Sequence, residues 1–340
     1  MASAAGHTQP NPELILDTLN AHQRTAALKA AIELDIFTAI GEGANTTAAL
    51  AKRCQVAERG ARILCDYLTI LGFLTKDAGQ YSLTPDASTF LDRRSPMCMA
   101  SAVTFLTLPE MIGAFQNLTT AVRKGATTLP AEGAVSHDNP IWIEFARSMA
   151  PMQVPSAEAI AKLLNAEAGE KWKVLDVAAG HGVFGVAIAQ HNPNAEIYAL
   201  DWPKVLEVAE ENAKKAGVAA RHHKIPGSAF EVDFGSGYDV ILLTNFLHHF
   251  DSVMVEMLLR KVRAALAPGG RVVTLDFIPN EDRISPPLPA AFALIMLAMT
   301  QDGDAYTFAE YHRMFRDAGF SSCELLPLPP TPHRVILSKK

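Results

Sequence analysis

The sequence predicts an α/β fold: a mostly parallel sheet that finishes in an antiparallel hairpin, preceded by a mainly helical N-terminal domain of winged-helix type. Three observations carry this. From Lys173 onward, short apolar strands alternate with helical patterns, which is the signature of a parallel sheet covered on both faces. Upstream, a helix, a turn, a second helix and a hairpin follow one another. Between them, VLDVAAGHGVFG, Val174 to Gly185, reads as a strand running into a glycine loop and a helix.

At the N-terminus, MASAAGHTQPNP has neither a basic nor an apolar leader segment, so residues 1–11 are expected to be a disordered tail. From Pro12 to about Ala39, Leu14, Leu16, Leu19, Ala26, Ala27, Ala30 and Leu34 recur at helical spacing, predicting one or two amphipathic helices. TTAALAKRCQVAERGARILCDYLTILGF gives two further helices around a turn at Gln55 and Val56, and LTKDAGQYSLT a hairpin around Ala78 and Gly79. A winged-helix domain is therefore placed at 12–92. Such modules often bind DNA, so a transcriptional regulator is carried as a rival reading. The second helix, however, offers Arg59 and Arg62 against Glu58 and Asp66, and phosphate contacts dominate nucleic-acid affinity. Packing against a second copy is the reading favoured.

Residues 93–165 are read as a helical linker and substrate-pocket region, punctuated by Pro96, Pro109, Gly113, Gly125, Pro130 and Gly133. Its Met97, Met99, Phe105, Met111 and Phe115, then Trp142, Phe145, Met149 and Met152, suit either a core or a pocket for a flat apolar ligand. The last four, with Met296, are the candidate acceptor wall.

Over 166–340 the strands are KVLDVA, EIYALD, ARHHKI, YDVILLTN and GRVVTLDF, with helices at 182–191, 204–216 and 252–266. APGG stops the last of these before the fifth strand. Helices near 290–299 and 307–318 follow, the first read as buried. The closing segments CELLPL and RVILS are separated only by PPTPH, too short a link for a parallel crossover, so they must be antiparallel.

The 340 residues exceed what one core comfortably fills, so two domains are expected. The net charge of −6, without basic runs, gives no bulk attraction to nucleic acid or anionic membrane. The longest apolar run, AAFALIMLAM, is about half a bilayer span. Four cysteines without a CxxC pair read as reduced, packed thiols, which fits the cytoplasm. His222 and His223 lack partners at metal spacing in the sequence, so no metal is expected.

Gly180, Gly182 and Gly185 satisfy GxGxxG, and Asp201 ends the next strand where a ribose-binding acid belongs. By pattern alone this is a dinucleotide site, and an NAD(P)-dependent oxidoreductase is the second rival. Electrostatics argue otherwise. A pyrophosphate uses the positive helix N-terminus, and Asp176, four residues before the first glycine, opposes it. A ligand carrying positive charge fits better, and S-adenosylmethionine is one. Asp201 then accepts from the ribose hydroxyls and Trp202 packs on the adenine; the alternatives are local backbone capping by Asp176 and a helix N-cap by Asp201.

VLDVAAGHG, the acidic end of EIYALD, YDVILLTN, FLHHFD and APGGRVVTLDF together resemble the class I S-adenosylmethionine-dependent methyltransferases. With the winged-helix start, the chain is similar to the small-molecule O-methyltransferases of plant caffeate type and bacterial natural-product biosynthesis. That resemblance implies a Rossmann-like seven-stranded sheet and a homodimer formed through N-terminal helices. It also implies adenine contacts after the third strand, where this chain has Ser228, Ala229 and Phe230, with serine in place of the usual acid. Ala178, Thr244 and Asn245, at strand ends beside the loop, complete the candidate cofactor set.

A phenol titrates near 10, so a base titrating near 6 to 7 helps its deprotonation, and histidine suits this. FLHHFD offers His248 and His249 past the carboxyl end of the fourth strand. Successive residues there are expected to face different ways, so one base is expected. Matching the family segment places His248 at the catalytic histidine and His249 at its acidic neighbour. The resemblance further implies that Asp276, shorter than the usual glutamate, orients the histidine. A second acid is implied where this chain has Ala305, with Asp302 and Asp304 nearby but off the motif. C- or N-methylation therefore stays open beside methylation of a hydroxyl on a small, apolar, aromatic acceptor.

Overall fold

Residues 10–130 and 140–340 are described by the computed structural model. The tail proposed for 1–11 lies mostly outside them, as does Gly133. The chain divides into two units, Met1–Val103 and Thr104–Lys340.

In the first unit, the segment expected to give one or two helices gives three: α1 (Glu13–Leu19), α2 (Ala21–Glu33) and α3 (Ile36–Gly41). Periodicity alone misses the last break, because Asp35 turns left-handed at φ 60° between two otherwise helical runs. Then come α4 (Thr47–Cys54), α5 (Glu58–Ile70), β1 (Leu74–Asp77), β2 (Gln80–Leu83) and α6 (Pro85–Phe90). Thr46 caps α4 by accepting from the Ala49 N–H at 3.3 Å. Left-handed Ala78 and Gly79 close the β1–β2 hairpin. Ile36, Phe37, Leu50, Cys65, Leu68 and Tyr81 form the buried centre. By contrast α1 buries nothing, and Leu14, Ile15, Leu16 and Leu19 are all exposed.

The second chain segment continues with α7 (Ala102–Leu106), α8 (Pro109–Gln116), α9 (Leu118–Lys124), α10 (Ile141–Ser148) and α11 (Ala150–Leu163). The alternating region follows as β3 (Lys173–Val177), α12 (Val183–His191), β4 (Glu196–Asp201), α13 (Pro203–Lys215), β5 (His222–Pro226), β6 (Tyr238–Thr244), α14 (Ser252–Ala265) and β7 (Leu266–Asp276). It closes with α15 (Pro287–Met299), α16 (Phe308–Asp317), β8 (Ser322–Pro327) and β9 (Arg334–Lys339). The seven strands are ordered β5-β4-β3-β6-β7-β9-β8, parallel through β7, with β9 antiparallel to both β7 and β8. One face buries Leu175, Val177, Ile241 and Leu243 against α14 and α16; the other buries Val174, Ile197, Val240 and Leu242 against α11 and α12.

Two expectations need correction. The helix does stop before APGG, at Ala265, but APGG lies inside the fifth strand and not ahead of it: β7 already starts at Leu266, and Pro268 and the two glycines are absorbed where pairing shifts from Tyr238↔Leu266 to Val240↔Arg271. The apolar run in α15 is not a buried helix throughout, since Met296, Ala298 and Met299 are buried while Leu288 and Leu294 are exposed. Its composition is apolar all round, but among the described residues its burial is uneven.

The strand order reverses direction between β3 and β6. Their carboxyl ends therefore frame a crevice at the switch point, where doubly wound sheets bind ligands.

Candidate active site

The crevice is built first by backbone. Ala178, Gly180 and Gly182 have φ of 53°, 56° and 70°, so the chain leaves β3 through three left-handed turns before α12 begins. Asn245, just past β6, is also left-handed at φ 52°. Non-glycine residues rarely adopt this conformation, and here two do so at the ends of the two strands that border the crevice. Gly185 serves a different need: a Cβ there would lie 2.6 Å from Ile197 Cγ2 and 3.2 Å from Asp176 Oδ2. The helix can approach the sheet this closely only without a side chain.

Asp176 lies under that approach. It is fully buried, its Oδ2 accepts the Gly185 N–H at 3.2 Å, and its Oδ1 has no hydrogen-bond partner. Local capping of backbone is thus part of its role. Burial pushes its carboxyl up to about 8, against the lowering from the Gly185 N–H. Asp201 reaches across from β4: Oδ2 accepts the Gly180 N–H at 2.8 Å and Oδ1 the Trp202 N–H at 2.7 Å. Burial lifts this carboxyl to about 6, the two N–H groups opposing the rise. It does not cap α13, whose N-cap is Trp202. Two lone pairs on each oxygen leave it able to accept further hydrogen bonds.

His181, inside the glycine loop, was not singled out by the sequence. It is buried, its Nδ1 accepts the Val183 N–H at 3.3 Å, and burial lowers its pKa to about 4. The loop thus keeps no positive side chain of its own at neutral pH. Phe145 stacks on His181 and would meet a Cβ on Gly180 at 3.6 Å. Trp202 packs with Val205, Val208 and Ala146. After β5, Ser228 Oγ accepts the Phe230 N–H at 3.2 Å, buried Ala229 gives its carbonyl to Lys261, and Phe230 meets Phe250 edge-on. Thr244 is buried, and Asn245 donates to Gln153 at 3.5 Å while its own Oδ1 has no partner.

On the far side of the crevice, His248 and His249 sit in a short 3₁₀ turn, Leu247–His249. Their rings do not diverge as a strand would require; the centroids are 4.3 Å apart. Only one has an acid. His248 Nδ1 donates to Asp276 Oδ1 at 2.6 Å, and both residues are buried. Burial would push the Asp276 carboxyl up, but the charge of His248, its hydrogen bond and those from Tyr311 and the Phe277 N–H hold it below the usual value. His249 Nδ1 is buried without a partner; burial, and then the neighbouring His248, push this ring well below its ordinary pKa. It stays neutral.

The residues of the candidate wall lie on α10, α11 and α15 and at the end of α10. Trp142 meets His249 edge-on at 5.3 Å and Phe145 at 5.8 Å. Met149 is buried at the end of α10 and Met152 half-buried in α11. Met296 is buried one turn beyond Phe292, which lies edge-on to His248 at 4.8 Å and stacks on Phe277. Phe292 was missed because nothing in its local sequence separates it from ordinary core.

Ala305 is buried and carries no acid. Asp304 does not replace it: its N–H donates to the His248 carbonyl, while its carboxylate takes Arg283 at 3.2 Å. His223 pairs with Glu196 at 2.7 Å, away from these groups on β5 and β4. Among the described residues no cluster of three or more His, Cys, Asp or Glu is arranged for a metal ion, and no helix is long and apolar enough to cross a membrane.

Comparison with known proteins supplies the family. The description of O-methyltransferase domains matches residues 117–321, more than half the chain. This chain belongs to the O-methyltransferase family. The O-methyltransferase dimerisation domain matches residues 16–93. A crystal structure from Nostoc punctiforme, described as a candidate O-methyltransferase, is 53% identical over 98% of this chain and 100% of that one, with a TM-score of 0.93. The 3-hydroxy-5-methyl-1-naphthoate 3-O-methyltransferase of Streptomyces sahachiroi is 28% identical over 94% of each chain. The L-tyrosine C(3)-methyltransferase of Streptomyces lavendulae is 26% identical over 92% of this chain and 88% of that one. Human N-acetylserotonin methyltransferase, solved with S-adenosylmethionine, has the same fold at a TM-score of 0.84 and 22% identity, over 100% of this chain and 99% of that one. Family membership removes the regulator and oxidoreductase readings as accounts of the chain's main activity.

Proposed function

We propose that this O-methyltransferase moves a methyl group from S-adenosylmethionine to a hydroxyl of a small, apolar, aromatic acceptor, with His248 as the general base. The observation that carries the reading is the 2.6 Å hydrogen bond from His248 Nδ1 to Asp276 Oδ1 at the carboxyl ends of adjacent strands.

The cradle suits the cofactor's charge. Two acidic groups, Asp176 with an unpartnered oxygen and Asp201 bridging two loops, face a loop whose one histidine is neutral. A diphosphate would oppose ionisation of both carboxyls, whereas a sulfonium and an ammonium favour their ionised forms. When bound, S-adenosylmethionine supplies an electrophilic methyl on a good leaving group.

The chain's own groups do the rest. With Nδ1 committed to Asp276, His248 has Nε2 to take the proton from the acceptor hydroxyl. Asp276 faces the imidazolium that results, so charge separates over one short contact. Trp142, Phe145, Met149, Met152 and Met296 align the ring of the acceptor and keep water away. Ordering of this kind supplies several kcal/mol of a displacement barrier, on the order of 7 to 11 at best. His249, neutral and without an acid, lends a polar edge and no base.

C-methylation is the second reading. The tyrosine C-methylating relative and the absence of an acid at Ala305 both favour it, because an activated ring carbon needs less help with its proton. We also read the molecule as a homodimer through its N-terminal helices, since the exposed apolar residues of α1 run into the region that matches the dimerisation domain, with Leu16 and Leu19 inside it, and as cytoplasmic.

The test is mass spectrometry of the purified protein with methyl-labelled S-adenosylmethionine and a panel of phenols, enols and amines. A labelled aryl ether supports the reading. Label on ring carbon instead selects the alternative.

A further inference from the structure

The hydrogen bond that holds His248 is itself held, and by a residue outside the groups used above. Tyr311 lies in the first turn of α16 and is fully buried; its hydroxyl donates to Asp276 Oδ2 at 2.8 Å. The other oxygen, Oδ1, receives His248 Nδ1 at 2.6 Å and the Phe277 N–H at 2.8 Å. Both oxygens of the carboxylate are therefore engaged. A carboxylate fixed at one oxygen can rotate about its Cβ–Cγ bond and present either oxygen to the imidazole; one fixed at both cannot.

The surroundings hold Tyr311 in register. Thr307 and Glu310 form a capping box at the start of α16, and Arg283 ties Glu310 at 2.6 Å and Asp304 at 3.2 Å to the preceding loop. Tyr306 meets Tyr311 edge-on and anchors its own hydroxyl on the Phe250 carbonyl at 2.7 Å. Burial, followed by the charge of Asp276, pushes the Tyr311 hydroxyl well above its ordinary pKa, so it remains a donor throughout the working range.

We propose that Tyr311 is a positioning residue for methyl transfer: acting through Asp276, it fixes the tautomer and direction of the His248 ring. This rests on the reading of His248 as base. The hydroxyl also shares the negative charge of the carboxylate. Without it, a buried oxygen loses its donor and Asp276 draws the imidazolium proton more strongly, so His248 titrates higher and is unprotonated less often. The other titratable groups around the pair are His249, which stays neutral, His333, lowered to about 4 by burial, and Asp304 and Tyr306 beside Tyr311.

The test uses the full chain labelled with ¹⁵N-histidine, the His248 signals being identified by their loss in His248→Ala. In Tyr311→Phe the His248 titration midpoint should rise by about one pH unit and its Nδ1–H resonance should move. In turnover of the acceptor found by the labelled-methyl screen, kcat should fall roughly tenfold with KM and cofactor Kd nearly unchanged. In the Asp276→Ala background the same substitution should cost nothing further. An unmoved midpoint, or losses that multiply with Asp276→Ala, overturns the proposal. Should Tyr311→Phe fail to fold, site-specific 3-fluorotyrosine at 311 retains the ring with a stronger donor, and the midpoint should fall; no movement overturns it. If His248→Ala keeps full turnover, the base reading has failed. If His248→Ala is inactive while Tyr311→Phe behaves as wild type, only this inference has.

Discussion

Phe145 lies almost parallel to His181, with 5.8 Å between ring centroids and 20° between planes. Three residues earlier on the same helix, Trp142 reaches His249. Helix α10 thus joins the glycine loop to the histidine pair, so that under the proposed function one helix would carry both the cover of the cofactor cradle and part of the acceptor wall.

Removing that cover should separate binding from folding. Phe145→Ala is expected to raise the cofactor Kd several-fold and the acceptor KM with it. Its thermal melt should shift only slightly, because Phe145 is half-buried. Calorimetric titration gives the first number and differential scanning the last. An unchanged Kd would show that the stacking has no bearing on the loop.

His248→Ala should lower kcat by about 10²- to 10⁴-fold, the usual range for a positioned acid or base. Cofactor affinity should stay within about twofold, because no hydrogen bond links this ring to the glycine loop. Steady-state kinetics and equilibrium titration check the two halves separately. Asp276→Asn should reduce kcat too, since an amide cannot carry the charge that faces the imidazolium.

Cofactor binding should release protons. An unfolded aspartate titrates near 3.9, whereas burial lifts folded Asp201 to about 6 and Asp176 to about 8. Carboxyls that keep protons in the fold after the unfolded chain has lost them make stability fall as pH rises, here between about pH 4 and 8. A cationic ligand has the opposite preference, favouring the ionised forms. Its affinity should therefore climb across the same window, and calorimetry near neutrality in buffers of different ionisation enthalpy should reveal proton uptake by the buffer. A flat affinity from pH 5 to 8 would contradict the electrostatic argument.

Gly185→Ala is expected to destabilise the second unit by roughly 1–3 kcal/mol, the usual cost of forcing atoms into a packed core. The added methyl would sit 2.6 Å from Ile197 and press on Asp176. Denaturant unfolding should show a lower midpoint, and a midpoint equal to wild type would mean that α12 can shift away from the sheet.

Much of this was legible in the chain because the signals were local. Alternation of strand and helix predicted the five parallel strands of the large sheet, and the short PPTPH link between two closing apolar segments predicted the antiparallel close. The glycine loop, Asp201 and the two adjacent histidines could be named from short motifs and strand ends, and the family resemblance implied the pairing of His248 with Asp276. What escaped was set by contacts distant in sequence or by backbone that composition does not reveal. Tyr311 reads as an ordinary aromatic on an amphipathic helix, and its bond to Asp276 spans 35 positions. Asp35 turns left-handed without being glycine.

Ala178 and Asn245 hold strained backbone on opposite lips of the crevice, one after β3 and one after β6. Such torsions persist only where the surrounding structure dictates them. The opening is accordingly shaped during folding, and a guest of the wrong width meets a fixed gauge. Relaxing either lip with glycine would make the mouth more yielding, trading selectivity for tolerance.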